Sequence, residues 1–228
     1  MWKNIFISRN YIRNLRQEGE SYVQYNVDKI KQHLKRKQSS DRYEHTIGVA
    51  YTAICMAMRF DCDLKKAEIA GLLHDCAKCF SDEAQLSKCE KYHILISEAE
   101  RSAPYLLHSK LGAFIAMDKF GVTDKDIINA ILYHTTGRPA MSTLEKIIYI
   151  ADYIEPRRTK AQNLTEIRRM AFVDLDITMV MILGDILEYL RKKQRENIDE
   201  MTVRAYDYYK QLDLERKEVL ELKKKAEL

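Results

Sequence analysis

Glycine and proline are scarce in this chain, with seven and three among 228 residues. An all-β protein with many tight turns, a collagen and a long flexible linker all need more of both. No apolar run approaches the roughly 18–20 residues of a membrane span. The first residues, M-W-K-N-I-F-I-S-R-N, lack the long apolar stretch and small-residue site of a secretory leader, so the cytoplasm is the expected compartment. Five cysteines (55, 62, 76, 79 and 89) cannot all pair within one chain, and a cytosolic protein keeps them reduced. Internal repeats and low-complexity tracts are also absent.

What is present is a soluble globular mixture, 46% hydrophobic and 32% charged, long enough for one sizeable core. The net charge of +4 is uneven. Residues 1–40 carry nine basic and three acidic groups, whereas 41–185 carry 18 and 21. Solvated helix faces account for the basic end. No RNP, zinc-finger or KH pattern accompanies it, which makes nucleic acid an unlikely partner.

Apolar residues recur mostly at helical spacing. The pattern predicts helices over 22–37, 41–60 and 64–79, with Ser39, Ser40 and Asp63 as caps. Further helices are predicted over 82–91, 106–120, 124–135, 143–154, 163–171, 174–195 and 199–226, with an irregular stretch ending near Pro104. Gly121 suits a helix C-terminus, Ser142 starts a helix, and Pro156 stops it. The expected fold is all-α.

Several of the six histidines and a few aspartates fall in a telling order. His45 shares a helical face with Arg42, Val49 and Ala53. His74 and Asp75 form a doublet after A-G-L-L. His108 opens one helix and His134 closes another. Asp152 lies in I-I-Y-I-A-D-Y-I-E-P. A lone histidine beside apolar residues is ordinarily a hydrogen-bonded core residue. An ionised aspartate in an apolar helix is costly to bury unless something positive meets it. Two such aspartates without adjacent basic partners point to a metal. Imidazole and carboxylate ligands without thiolate suit a borderline or hard divalent ion.

This order resembles the HD-domain metallophosphohydrolases, whose motif is a first His, a His-Asp doublet and a distant Asp. The segments R-Y-E-H-T-I-G-V-A, H-D-C-A-K, L-L-H-S-K-L-G-A, Y-H-T-T-G-R-P and I-I-Y-I-A-D-Y-I-E-P-R-R narrow the likeness to the bacterial YqeK family of symmetrically cleaving diadenosine tetraphosphate hydrolases. The resemblance covers about residues 25–205. It implies an HD-domain helical bundle there, an N-terminal extension over 1–24 and a charged helical tail over 206–228. The loop after Asp152, R-T-K-A-Q-N, has less proline and glycine than the family usually shows.

As the resemblance implies, His45, His74, Asp75 and Asp152 ligate a metal, and Asp75 also orients the attacking water. Iron is the ion expected by family, with manganese or another divalent ion as alternatives. His108 and His134 contact phosphate, as donors or a general acid, or hold a second metal. Lys78, one helical turn beyond Asp75, is a catalytic cation that also binds substrate. Arg42 and Arg158 meet the polyphosphate, and Ile198 and Thr202 close over nucleoside. The implied reaction is hydrolysis of diadenosine tetraphosphate by metal-activated water, giving two ADP. The alternative is another HD phosphohydrolase, acting on a nucleoside mono- or triphosphate, a guanosine alarmone or a cyclic dinucleotide.

Three further patterns have ordinary readings. Cys76-Ala-Lys-Cys79 lacks the second C-x-x-C of a zinc site. Tyr206, Tyr208 and Tyr209 with Lys210 read as a helix face packed on the core rather than an RNA-stacking platform. The stripe of Met179, Val180, Ile182, Leu183, Ile186, Leu187 and Leu190 is core or a homodimer contact.

Overall fold

The computed structural model describes residues 25–193 and 198–226, with side chains to residue 222. Eleven α-helices and no strand occur among the described residues, as an all-α chain requires. The proposed extension 1–24 lies outside them.

Caps written in the sequence set most helix starts. Asn26 accepts from the Lys29 amide to open α1 (Val27–Lys37), and Ser39 from Arg42 to open α2 (Ser40–Arg59). Asp63 accepts two amides at the start of α3 (Leu64–Leu73), and Ser81 caps α4 (Asp82–Lys91). Ser97 and Glu100 form a capping box on α5 (Glu98–Ser102), a short helix where an irregular stretch was expected. A 3₁₀ turn, Pro104–Leu106, leads into α6 (Leu107–Phe120), which ends on Gly121 at φ 65°. Asp124 caps α7 (Lys125–Tyr133), and a second capping box, Ser142 with Glu145, opens α8 (Thr143–Ile154). Then come α9 (Leu164–Met170), α10 (Leu175–Lys192), capped by Asp174, and α11 (Glu200–Ala226).

One helix is shorter than the apolar pattern suggests. The helix predicted over 64–79 stops at Leu73, and residues 74–79 continue as tight turns. Amides bond three residues back, Cys76 to Leu73 at 3.1 Å and Lys78 to Asp75 at 3.0 Å. Neighbours on an α-helix diverge by about 100°, so a continued helix would aim His74 and Asp75 apart. The turns bring both side chains to one place.

The buried centre is α2, α3 and α8, with α6 and α7 against them and α10 packing on α8. A Cβ on Gly71 would lie 2.8 Å from the Ala50 Cα, so glycine permits the close approach of α2 and α3. The long α11 lies along α10. The stripe on α10 is mostly core: Met179, Ile182, Leu183 and Leu187 are fully buried, while Val180 and Ile186 are partly so.

Candidate active site

Four buried histidines from four different segments point one nitrogen each into a shared centre. His74 lies 2.7 Å from the Gly71 carbonyl through Nδ1, and His134 2.7 Å from Ile131. His108 makes the same contact to Tyr105. In each case the acceptor is three residues back, at a helix or turn end. A carbonyl only accepts, so Nδ1 carries a proton, and Nε2 offers a lone pair whenever the ring is neutral; the Asp75 and Asp152 charges raise the His74 imidazole against its burial. His45 uses a carboxylate instead: its Nδ1 is 3.1 Å from Glu155 Oε1.

Asp75, fully buried, stands in the middle of this ring. Its two oxygens divide the site into two ends. Oδ2 lies 2.8 Å from Arg42 Nη1, 3.4 Å from His74 Nε2 and 3.7 Å from His45 Nε2. Oδ1 lies 3.1 Å from Lys78 Nζ, 3.4 Å from His134 Nε2 and 3.5 Å from His108 Nε2. Asp152 completes the first end, with Oδ1 3.1 Å from His45 Nε2 and 3.9 Å from His74 Nε2. Arg158 holds Asp152 from outside, donating to its carbonyl at 3.1 Å and to Oδ1 at 3.0 Å.

Burial alone would raise the Asp75 carboxyl. The His74, His134 and Lys78 groups facing it hold it well below the carboxylate range. Asp152 is held low against burial by His45 and His74. Burial pushes the His108 imidazole down to about 3, helped by Lys78 and His134. At neutral pH the site therefore holds ionised carboxylates and a neutral His108.

These residues fit a divalent cation. Apart from the ion-pair contacts above, Nε2 of His45, Nε2 of His74 and Oδ1 of Asp75 are buried and make no hydrogen bond of good geometry. Such atoms are expensive to leave unmet. Ligand atoms of His45, His74 and Asp152, and of His74, Asp75 and His134, each lie within 4.8 Å of one another. Each ligating imidazole is oriented by a partner on its other nitrogen, as metal-bound histidines are. The structure thus brings together all four residues expected to hold the metal, with His108, His134, Arg42, Lys78 and Arg158 around them.

Ile198 and Thr202, expected to close over nucleoside, lie at the start of the last helix. Thr202 is buried and Ile198 half-buried. A Cβ on Gly137 would lie 3.4 Å from Ala205, one turn beyond Thr202. This places the beginning of α11 on the loop that follows His134. Tyr209 anchors the same helix, its hydroxyl accepting from the Met141 amide at 2.9 Å.

Sequence reasoning missed four contributors. Glu155, buried, accepts from His45 and from the Arg157 amide at 2.8 Å. Gly48 makes room for it, since a Cβ there would meet Glu155 Oε2 at 2.8 Å. Arg168 donates to the carbonyls of Ile154, Glu155 and Arg158, which fixes the turn carrying Glu155 and Arg158. The Thr135 hydroxyl lies 3.0 Å from His108 Nε2 and 3.2 Å from His134 Nε2. Only the spacing of Glu155, three residues after Asp152 at the end of the same helix, offered a signal. The cysteines take no part in the cluster. Cys76 points its thiol at the Gly112 carbonyl, and burial pushes it far up; burial raises Cys79 too.

A helical bundle that gathers a first His, a His-Asp doublet and a distant Asp defines an HD-domain protein, and the HD domain family matches residues 42–157. The chain is 40% identical over 162 residues to a symmetrical bis(5'-nucleosyl)-tetraphosphatase of Bacillus subtilis, covering 71% of this chain and 86% of that protein. A protein of the same description from Halalkalibacterium halodurans is 38% identical, over 75% of this chain and 90% of its own length. A crystal structure from Clostridium acetobutylicum, described as a predicted HD superfamily hydrolase involved in NAD metabolism, is 38% identical. It superposes with a TM-score of 0.78 over 81% of this chain and 97% of that one. The chain belongs to the symmetrical bis(5'-nucleosyl)-tetraphosphatase family of HD-domain hydrolases.

Proposed function

We propose that this protein hydrolyses diadenosine tetraphosphate between its two central phosphates, releasing two ADP. One observation carries the reading: a buried ring of imidazoles and carboxylates with inward atoms that make no hydrogen bond of good geometry, edged by Arg42, Lys78 and Arg158. Those three cations match an elongated polyanion, and the Bacillus relative of the same family is named for the symmetrical reaction.

His45, His74, Asp75 and Asp152 would hold the metal, with iron first among the candidates and manganese or another divalent ion as alternatives. When bound, such an ion lowers the pKa of water and neutralises phosphate oxygens. The remaining work falls to the chain. Arg42 and Lys78 flank Asp75 at either oxygen and draw phosphate oxygens toward the centre. Arg158 can fork onto a phosphate. Asp75, kept ionised, accepts a hydrogen bond from the attacking water and orients it. The water oxygen bonds to an inner phosphorus, the bridging P–O bond breaks, and its electron pair leaves with ADP. One water proton is released. A terminal phosphate has a second pKa near 6, so ADP leaves as an anion without a strong acid.

That relaxes the demand on His108 and His134. Their Nε2 atoms face each other at 3.1 Å while both Nδ1 atoms point at carbonyls. Two lone pairs so close favour a cation between them, which supports a second ion there over a general acid. No described helix is long and apolar enough to cross a membrane, and five unpaired cysteines suit a reducing compartment; we place the reaction in the cytoplasm.

The test is chromatography of products from the metal-loaded protein and a substrate panel. The panel holds diadenosine tetraphosphate, nucleoside mono- and triphosphates, a guanosine alarmone and a cyclic dinucleotide. ADP as sole product from the first is expected. ATP plus AMP refutes the symmetric cut, and turnover of another panel member in its place moves the protein to the alternative class.

A further inference from the structure

A symmetric cut places one ADP on each side of the reacting phosphorus, so the site needs room for two nucleosides. The residues already described provide for one. Ile198 and Thr202 lead into α11, whose Ala205 packs on Gly137 in the loop after His134, and His134 faces Asp75 Oδ1. At the Oδ2 end, Arg158, which bonds Asp152, also lines a separate groove of about 690 Å³, within the size range of small-molecule sites.

The wall of this groove has nucleotide-binding chemistry. Arg157, Arg158 and Lys160 supply three cations. Tyr153, next in sequence to Asp152, and Tyr189 on α10 supply aromatic rings; Tyr153 is half-buried, while Tyr189 is 57% exposed, with Lys193 Nζ 5.9 Å from its ring centroid. Asp185 also lines the groove and is steered by Asn163, whose amide nitrogen donates to both carboxylate oxygens at 3.1 and 3.3 Å. Arg158 belongs to both places, since its guanidinium bonds Asp152 while lining the groove. A phosphate chain leaving the reaction centre therefore meets Arg158 first and the other cations next.

We infer that this groove is the subsite for the distal nucleotide, with phosphate on Arg158, Arg157 and Lys160 and the purine against Tyr153 and Tyr189. Asp185, an acceptor, takes an N–H of the base or a ribose hydroxyl. The inference rests on the proposed substrate being a dinucleoside tetraphosphate. It explains how a cluster shared by many HD hydrolases serves a substrate with two bases.

The experiment compares diadenosine tetraphosphate with adenosine 5'-tetraphosphate, which keeps the phosphates and lacks the distal nucleoside. Steady-state kinetics are measured on the metal-loaded full chain, Tyr189→Ala and Tyr189→Phe. Tyr189 is exposed, and equal melting temperatures check that the variants fold. Loss of a stacking ring raises KM for the dinucleotide about 5- to 10-fold in Tyr189→Ala, with kcat nearly constant. Tyr189→Phe keeps the ring and stays within about twofold of wild type. The effect is confined to the dinucleotide. A Tyr189→Ala variant with unchanged KM for an actively cleaved dinucleotide overturns the groove alone, as does an equal rise for both substrates. A wild type inert toward the dinucleotide overturns the substrate reading and takes the groove with it.

Discussion

A histidine that gives its Nδ1 proton to a carbonyl has only Nε2 left to offer. Three of the four site histidines are fixed this way by their own backbone, three residues upstream. His108 and His134 were legible at the start and end of predicted helices, whereas His74 was legible through its doublet with Asp75, since the predicted helix ran past it to 79. His45 was legible as a ligand, but its partner was not. Glu155 reads as an ordinary carboxylate before a proline, and it meets His45 only because α2 packs on α8. Gly48 is the other half of that arrangement. A methyl group at Gly48 would displace Glu155 Oε2, 2.8 Å away, and loosen the His45 ring. Outer partners of ligating histidines typically contribute 10–100-fold in metal affinity. Both Gly48→Ala and Glu155→Ala are expected to weaken metal binding by about that factor. Competition with a chelator of known affinity measures it, and unchanged affinity in both variants would remove Glu155 from the site.

Helix starts were largely readable, since Ser39, Asp63, Ser81, Asp124, Ser142 and Asp174 all sit where capping chemistry requires them. The end of α3 was not. C-A-K-C-F contains no glycine or proline to stop a helix, and the turns over 74–79 answer to tertiary demands: Gln38 donates to the Asp75 carbonyl at 3.4 Å, and both His74 and Asp75 must reach the centre. The five-residue α5 escaped notice because its capping box sits in a polar stretch too short for periodicity. The α2–α3 pair packs backbone against backbone at Gly71. In Gly71→Ala the new methyl would fall 2.8 Å from the Ala50 Cα, a backbone atom that cannot step aside. Overpacking of this kind costs about 1–3 kcal/mol. At about 2–4 °C per kcal/mol in a chain of this size, calorimetry is expected to show a melting temperature several degrees lower; a melting temperature equal to wild type would mean the helices separate freely.

At the scale of the molecule, α11 must be held in place for Ala205 to stay packed on Gly137 in the loop after His134. Besides Tyr209, an ionic junction does this. Asp176 on α10 receives Lys146 of α8 at 2.8 Å and Arg216 of α11, and Arg216 also reaches Asp174 at 3.4 Å. Burial would raise the Asp176 carboxyl, and Lys146 and Arg216 outweigh it, so the folded value lies below the ordinary one. A carboxylate with a depressed folded pKa binds protons more readily when the chain is unfolded. Its stabilisation is present in full above the unfolded value, near 3.9, and disappears as pH falls through the lower folded value. Removing the charge in Asp176→Asn is therefore expected to cost about 1 kcal/mol at neutral pH, seen as a melting temperature roughly 2–4 °C lower. The gap between variant and wild type should narrow as pH falls below about 4 and close once pH lies below the depressed folded value, because both proteins then carry an uncharged side chain. Melting curves taken across that range in parallel decide it. A gap that stays constant into acid would show that Asp176 holds α11 by packing and neutral hydrogen bonds rather than by its charge.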